Sequence, residues 1–437
     1  MSMNKKVLIA NAILACSLLT CCSSDDDGFS DSDSQHQVVN MLSTPKYVQL
    51  TYEQKQFATD NNGFTLNFLK TVNEADRSGK SFIYSPLSIT YVLGMVNDAA
   101  VGQTEQELEQ TLGFHQGGIQ SVNEYCKTLI DKLPKVDESV SLNIANAIFV
   151  NKNNATLKEQ YQQEIQQYYD AKAEALDFKS PSTLDHINSW CNDKTQGMIP
   201  TILNQVSPDV VSYLLNAIYF KADWSSKFDP KNTKKEAFST EIGTTQIPLM
   251  HQTVLINYLK NDTFSAVNIP YGNGMWVMSV MLPEKGKTID DIVNSLSETG
   301  WSADYNNPMF TSTPHEVDLK MPRFETTSDT DDLEGSLINI MKKMGIHLVF
   351  DAQLAQIPNM CKDKNLFISM MRQKAAIKVD EEGSEAAAVT VVGMETSAYV
   401  GPMEYPKATF HANRPFVYVI REASSGVILF VGKYTGK

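Results

Sequence analysis

The sequence predicts a single long α+β domain, on three observations. The run Tyr213-Leu214-Leu215-Asn216-Ala217-Ile218-Tyr219-Phe220 is apolar but for one Asn, the pattern of a strand buried on both faces. Leu333, Leu337, Ile340, Met341 and Met344 recur at helical spacing, so that segment packs one face on a sheet. Phe416 to Ile420 and Val427 to Val431 are joined by Arg421-Glu422-Ala423-Ser424-Ser425-Gly426 and read as a buried β-hairpin. No internal repeat and no inner linker divides residues 47–437, and a chain of 437 residues buries a large core.

In chain order, Lys5 and Lys6 precede an apolar run from Val7 to Leu19 that is too short to span a membrane. The run ends at Thr20-Cys21-Cys22-Ser23-Ser24-Asp25-Asp26-Asp27, and residues 1–22 read as a targeting leader. This resembles a bacterial lipoprotein signal, in which a Cys just after the apolar stretch is lipidated. Cys22 or Cys21 fits that role, Cys16 less well, and an ordinary cleaved secretory signal is the plainer alternative. Residues 23–46 form an acidic, Ser/Asp-rich tether with no apolar period. The expected location is extracytoplasmic, at the outer membrane or cell surface, with the membrane engaged only through the N-terminal lipid.

Within the domain, Ser85-Pro86-Leu87-Ser88-Ile89 opens an apolar helix through about Ala100, with Pro86 suited to the first turn. Thr104 to Leu112 reads as a short helix whose Thr104-Glu105-Gln106-Glu107 start is a capping box. Leu142 to Val150 reads as a strand, and Leu157 to Tyr169 and Ser182 to Thr195 as helices. Cys126, Cys191 and Cys361 cannot all pair within one chain, and neither their spacing nor a neighbouring His suggests a metal, so buried free thiols are expected. The formal net charge of −14 and the absence of a Lys/Arg run argue against a nucleic-acid partner. No G-x-S-x-G, H-E-x-x-H or P-loop occurs and the seven His are scattered, so no catalytic site and no cofactor is expected.

Between the strand ending near Glu381 and the pattern resuming at Ala408 lies a long segment with little periodicity, and loops beyond about 12–15 residues are uncommon unless functional or disordered. Its start, Val379-Asp380-Glu381-Glu382-Gly383-Ser384-Glu385-Ala386-Ala387-Ala388-Val389-Thr390, favours function, because alanines beside Thr and Val have strand capacity that a Gly/Ser linker lacks. If extended, Ser384, Ala386, Ala388, Thr390, Val392 and Met394 point to one face, and Glu385, Ala387, Val389, Val391 and Gly393 to the other. The first face is small enough at its start to slip between strands already packed on a core.

Six separated motifs then occur in order: Tyr84-Ser85-Pro86-Leu87-Ser88-Ile89; Ile187-Asn188-Ser189-Trp190 with Thr195-Gln196-Gly197; Asn216-Ala217-Ile218-Tyr219-Phe220-Lys221 with Trp224; Lys320-Met321-Pro322-Arg323-Phe324; Glu381 to Thr390; and Phe410-His411-Ala412-Asn413-Arg414-Pro415-Phe416. Together they resemble the serpin family over essentially everything after the tether. The resemblance implies three β-sheets, about nine helices, an exposed reactive-centre loop at about residues 382–408 and a metastable native state. It also implies a monomer that inhibits serine proteases as a suicide substrate. The protease forms an acyl-enzyme on the loop, the hinge inserts into the main sheet, and the covalent complex is trapped.

The resemblance assigns roles residue by residue. Glu381, Glu382, Gly383, Ser384, Glu385, Ala386, Ala387, Ala388, Val389 and Thr390 match the hinge. Ser85, Ser88, Asn216 and Gln373 match polar residues beneath the centre of the main sheet, the shutter, where the family often has a His in place of Gln373. Trp224, Arg323 and Glu381 match the breach, where the loop enters. Read without the motifs, the shutter set would merely cap a helix and satisfy backbone groups, and Arg323 and Glu381 would lie on a solvated surface. Family spacing from Gly383 puts the reactive bond at Ser397-Ala398, with Met394, Thr396 and Tyr399 as neighbours; the stretch on to Pro415 is longer than in many family members, which leaves other bonds between Met394 and Met403 as alternatives. Gly383 to Pro406 holds no Lys or Arg, so a trypsin-like enzyme finds no cation there, and elastase-like or subtilisin-like targets fit better. Alternatives are inhibition of a chymotrypsin-like or cysteine protease, or a non-inhibitory serpin acting as a binding or chaperone-like module. A carbohydrate-binding lipoprotein is weaker still, since the Trp and Tyr residues form no stacking platform in sequence.

Overall fold

A computed structural model describes residues 43–76, 78–115, 117–297, 314–333, 336–362, 366–384 and 404–437, all within one unit, Asn40–Lys437. It opens on helix α1 (Tyr52–Ala75), whose Thr51 and Gln54 form a reciprocal capping box. Strand β1 (Phe82–Tyr84) leads into α2 (Pro86–Ala99), capped by Ser85 with Pro in its first turn, as the sequence predicts. The predicted capping box at Thr104 does not form. Helix α3 runs Gly102–Leu112, so Thr104 sits inside it, fully buried, and its hydroxyl accepts the Gln356 backbone N–H at 3.0 Å. A tertiary partner has taken the oxygen that a local cap would have used. Then follow α4 (Gly118–Lys132), β2 (Ser141–Asn151), α5 (Glu159–Tyr169), β3 (Lys172–Leu176) and α6 (Ser182–Lys194). Helix α5 begins two residues late because Leu157 instead bridges Cys361.

The remaining elements are mostly strands: β4 (Ser212–Asp223), β5 (Lys234–Thr240), β6 (Gly243–Lys260), β7 (Phe264–Tyr271) and β8 (Trp276–Pro283). After α7 (Ile289–Ser295) come β9 (Pro314–Pro322), β10 (Phe324–Asp329), α8 (Ser336–Lys343), β11 (Met370–Val379) and the two-residue β12 (Gly383–Ser384). Strands β13 (Lys407–His411), β14 (Phe416–Glu422) and β15 (Ile428–Tyr434) close the chain. The last two form the predicted antiparallel hairpin. Helix α8 is shorter than its apolar spacing suggested, with Leu333 in the turn before it, but Leu337, Ile340 and Met341 are buried as that spacing requires.

The main sheet has the order β10-β11-β4-β2-β3, with β12 also on β4. The other strands run β1-β15-β14-β8-β7-β6-β9-β13, with β5 on β6. The long β6 belongs to two sheets, pairing β9 over Leu249–Asn257 and β7 over Asn257–Lys260, which resolves the set into a second and a third sheet. Strand β4 is buried on both faces. Leu214, Ile218, Phe220 and Ala222 join the large core, whereas Tyr213, Leu215 and Ala217 join a smaller one with Ile187 and Trp190 of α6. That two-sided burial is why β4 reads as an unbroken apolar run. Cys126, Cys191 and Cys361 are free and buried, and burial pushes the Cys126 thiol up to about 12.

Candidate functional site: the seam between β4 and β11

Strands β4 and β11 pair in parallel only from Met370 opposite Tyr213 to Lys374 opposite Ala217. Beyond that point β11 leaves β4, and the upper half of the seam takes something else. The lower half is locked by polar groups. Gln373 bonds the Ser85 backbone twice, its Oε1 accepting the Ser85 N–H and its Nε2 donating to the Ser85 carbonyl, both at 2.9 Å. Its Nε2 also reaches Asn216 Oδ1 at 3.4 Å. The Ser85 hydroxyl donates to the Leu429 carbonyl at 2.7 Å and lies 3.0 Å from the Ser88 hydroxyl. Asn216 donates to Asn146 Oδ1 at 2.9 Å, from its directly opposed position on β2. Ser85, Ser88, Asn216 and Gln373 thus form one buried cluster crossing from helix α2 to β4 and β11. An amide at position 373 supplies both donor and acceptor without titrating.

Only the top of the upper half is occupied, by the first part of the segment assigned to the hinge. Val379 ends β11, the chain reverses with Asp380 N–H donating to the Gly383 carbonyl, and β12 lies antiparallel on β4, Gly383 opposite Asp223 and Ser384 opposite Ala222. The turn is gripped from below. Trp224 donates its backbone N–H to the Glu382 carbonyl and its indole N–H to the Asp380 carbonyl, both at 2.9 Å, and Phe228 N–H reaches the Glu381 carbonyl at 3.0 Å. Glu381 is buried and pairs with Arg323 and the Thr233 hydroxyl. Burial alone would raise the Glu381 carboxyl, but the hydrogen bonds from Arg323 and Thr233 hold it below the usual carboxylate range. Glu382 is held by Lys227 at 2.6 Å.

The two sets assigned to the sheet centre and to the loop's entry are therefore each brought together, at the closed and the open half of one seam. Ser384 is buried and its hydroxyl lies 3.1 Å from the hydroxyl of Tyr271. Glu385, Ala386, Ala387, Ala388, Val389, Thr390, Met394, Thr396, Ser397, Ala398, Tyr399, Cys21 and Cys22 lie outside the described residues. Four contributors were missed in the sequence. Asn146 lies in a strand-like run that also holds Asn143, so its position was legible but its choice over Asn143 was not. Thr330, which accepts the Gln373 N–H at 3.0 Å, Lys227 and Tyr271 carried no sequence signal. Among the described residues no group of three or more His, Cys, Asp or Glu is placed to hold a metal ion.

The family profile described as serpin (serine protease inhibitor) matches residues 59–436. The chain belongs to the serpin family. Among serpin relatives, Iripin-5 of Ixodes ricinus is 30% identical over 386 residues, 85% of this chain and 93% of that protein. Serpin B11 of Homo sapiens is 29% identical over 403 residues, covering 86% and 98%. A native-state structure of the thermophilic serpin Tengpin superposes with a TM-score of 0.75 at 25% identity, covering 92% of this chain and 98% of that one. Thyroxine-binding globulin in complex with thyroxine superposes at 0.74 with 25% identity, covering 88% and 99%. Serpins are for the most part protease inhibitors and not enzymes, and the thyroxine complex shows that the same fold also serves ligand binding.

Proposed function

We propose that this serpin is an inhibitory suicide substrate for an elastase-like or subtilisin-like serine protease, working by insertion of its reactive loop between β4 and β11. The observation that carries the reading is the docked hinge. Continuing the β12 register would set Ala386 opposite Phe220, Ala388 opposite Ile218 and Thr390 opposite Asn216, all on the core side of the sheet. Phe220 already packs edge-on against Tyr271, Trp276 and Phe430, so only small side chains fit across from it. Filling the lower seam requires breaking the Gln373 contacts to Asn216 and Ser85, which places the lock in the path of insertion. Cleavage is proposed at Ser397-Ala398, within a loop that offers no cation to a trypsin-like pocket. Incubation with an elastase-like and a subtilisin-like enzyme is expected to yield a covalent complex that survives denaturing electrophoresis. Cleaved product alone, across several protease classes, would support instead a non-inhibitory binding role of the kind thyroxine-binding globulin illustrates.

The leader supports an extracytoplasmic lipoprotein, anchored through Cys22 or Cys21. Replacing both with Ser is expected to move the protein from the membrane fraction to the soluble fraction; retention on the membrane would refute the lipid anchor.

A further inference from the structure

The geometry points to Tyr271 as the latch that positions the reactive loop: its hydroxyl holds Ser384, and with it the two-residue strand β12, in the upper seam before any protease acts. This extends the insertion reading above, and rests on it, to the state of the loop at rest. Three observations converge. Gly383 is seated so tightly on β4 that an added Cβ would lie 2.2 Å from the Ala222 carbonyl oxygen and 2.5 Å from the Asp223 Cα, so the docking is a close fit that only glycine permits. Ser384 is 2% exposed and Tyr271 fully buried, and no other hydrogen-bond partner for the Tyr271 hydroxyl occurs among the described residues. Withdrawal of the hinge would strand that hydroxyl in the core, and an unpaired buried hydroxyl is costly.

The third observation is that Tyr271 is itself fixed. Its ring stacks on Trp224 at 4.3 Å and 12°, and the two backbones form a β-bridge at the end of β7. Since the Trp224 indole holds the Asp380 carbonyl, the stacked pair grips both ends of the hinge turn. Advance of the loop keeps Ser384 in register and so keeps the latch, whereas withdrawal breaks it. Tyr271 is thus a positioning residue that biases the resting loop toward insertion, with strand nucleation already accomplished by Gly383 and Ser384.

Amide exchange over residues 380–384 of the full chain tests this without a protease. Tyr271→Phe and Ser384→Ala are each expected to speed exchange there about fivefold to tenfold, the effect of one lost buried hydrogen bond. The double variant should show no more than either single, because both remove the same bond. Exchange over residues 370–374 should stay at the wild-type rate, showing that the seam below is intact. Wild-type exchange at the hinge in both single variants, or multiplied effects in the double, would overturn the latch. Failure of the wild type to trap any protease would strike the inhibitory reading and leave this result standing.

Discussion

Replacing Ala388 by Arg is expected to convert the protein from an inhibitor into a substrate. If the register begun by Gly383 and Ser384 continued on insertion, position 388 would come opposite Ile218 on the core side of β4, where Ile218 is 1% exposed and the neighbouring Phe220 is walled by aromatic rings. An Arg there must be buried without a counter-ion, at a penalty of several kcal/mol. Each 1.36 kcal/mol added to the insertion barrier slows it about tenfold, so insertion falls behind acyl-enzyme hydrolysis by a factor on the order of 100 or more. Cleavage itself should continue at the wild-type rate, since position 388 is remote from the bond attacked. Glu385→Ala is the matched control. In the same continued register it would come opposite the half-buried Lys221 on the other face of the sheet, and trapping should persist. Denaturing gels read both outcomes; an unchanged complex yield for Ala388→Arg would remove the insertion mechanism from this protein.

Cleavage within residues 385–403 is expected to make the protein more stable, the reverse of what nicking a folded domain ordinarily does. In the intact chain the loop is tied to β12 at one end and β13 at the other, so the seam stays open below Ser384 only as far as the Gln373 lock. On the proposed mechanism a cut would free the hinge to run down between β4 and β11, making hydrogen bonds to both. Net contributions of about 1 kcal/mol per bond, over a strand of this length, raise the unfolding midpoint on the order of 10 °C or more. On the proposed mechanism the intact form is held by a kinetic barrier, to which the Gln373 contacts are expected to contribute. Scanning calorimetry before and after limited proteolysis checks this. A midpoint that falls on cleavage would mean that the intact protein is already at its free-energy minimum, as in a non-inhibitory relative.

The two readings that mattered most were legible for different reasons. The α+β class and a segment able to become a strand followed from local patterns: period-two alternation, helical spacing of apolar residues, and a run of small residues where a loop would normally be polar. The clustering of Ser85, Ser88, Asn216 and Gln373 was legible only through the order of separated motifs, because these residues come from three elements distant in the chain. The failed capping box at Thr104 shows the limit of local reading. Its Thr-x-x-Glu spacing is correct, but the hydroxyl went to Gln356, some 250 residues away along the chain.

What the sequence by itself determined is a domain of mixed class with a segment able to become a strand, since backbone propensity and side-chain size are properties of the segment alone. What only the tertiary structure decided is how far that segment has already gone. Gly383 and Ser384 lie in the sheet because β11 parts from β4 above Lys374, because the Trp224–Tyr271 stack lies beneath the gap, and because Arg323 and Lys227 reach in to pair Glu381 and Glu382. Each of those causes is a contact between elements far apart in the chain, and the free energy of such a contact depends on burial and geometry that exist only once the core has formed.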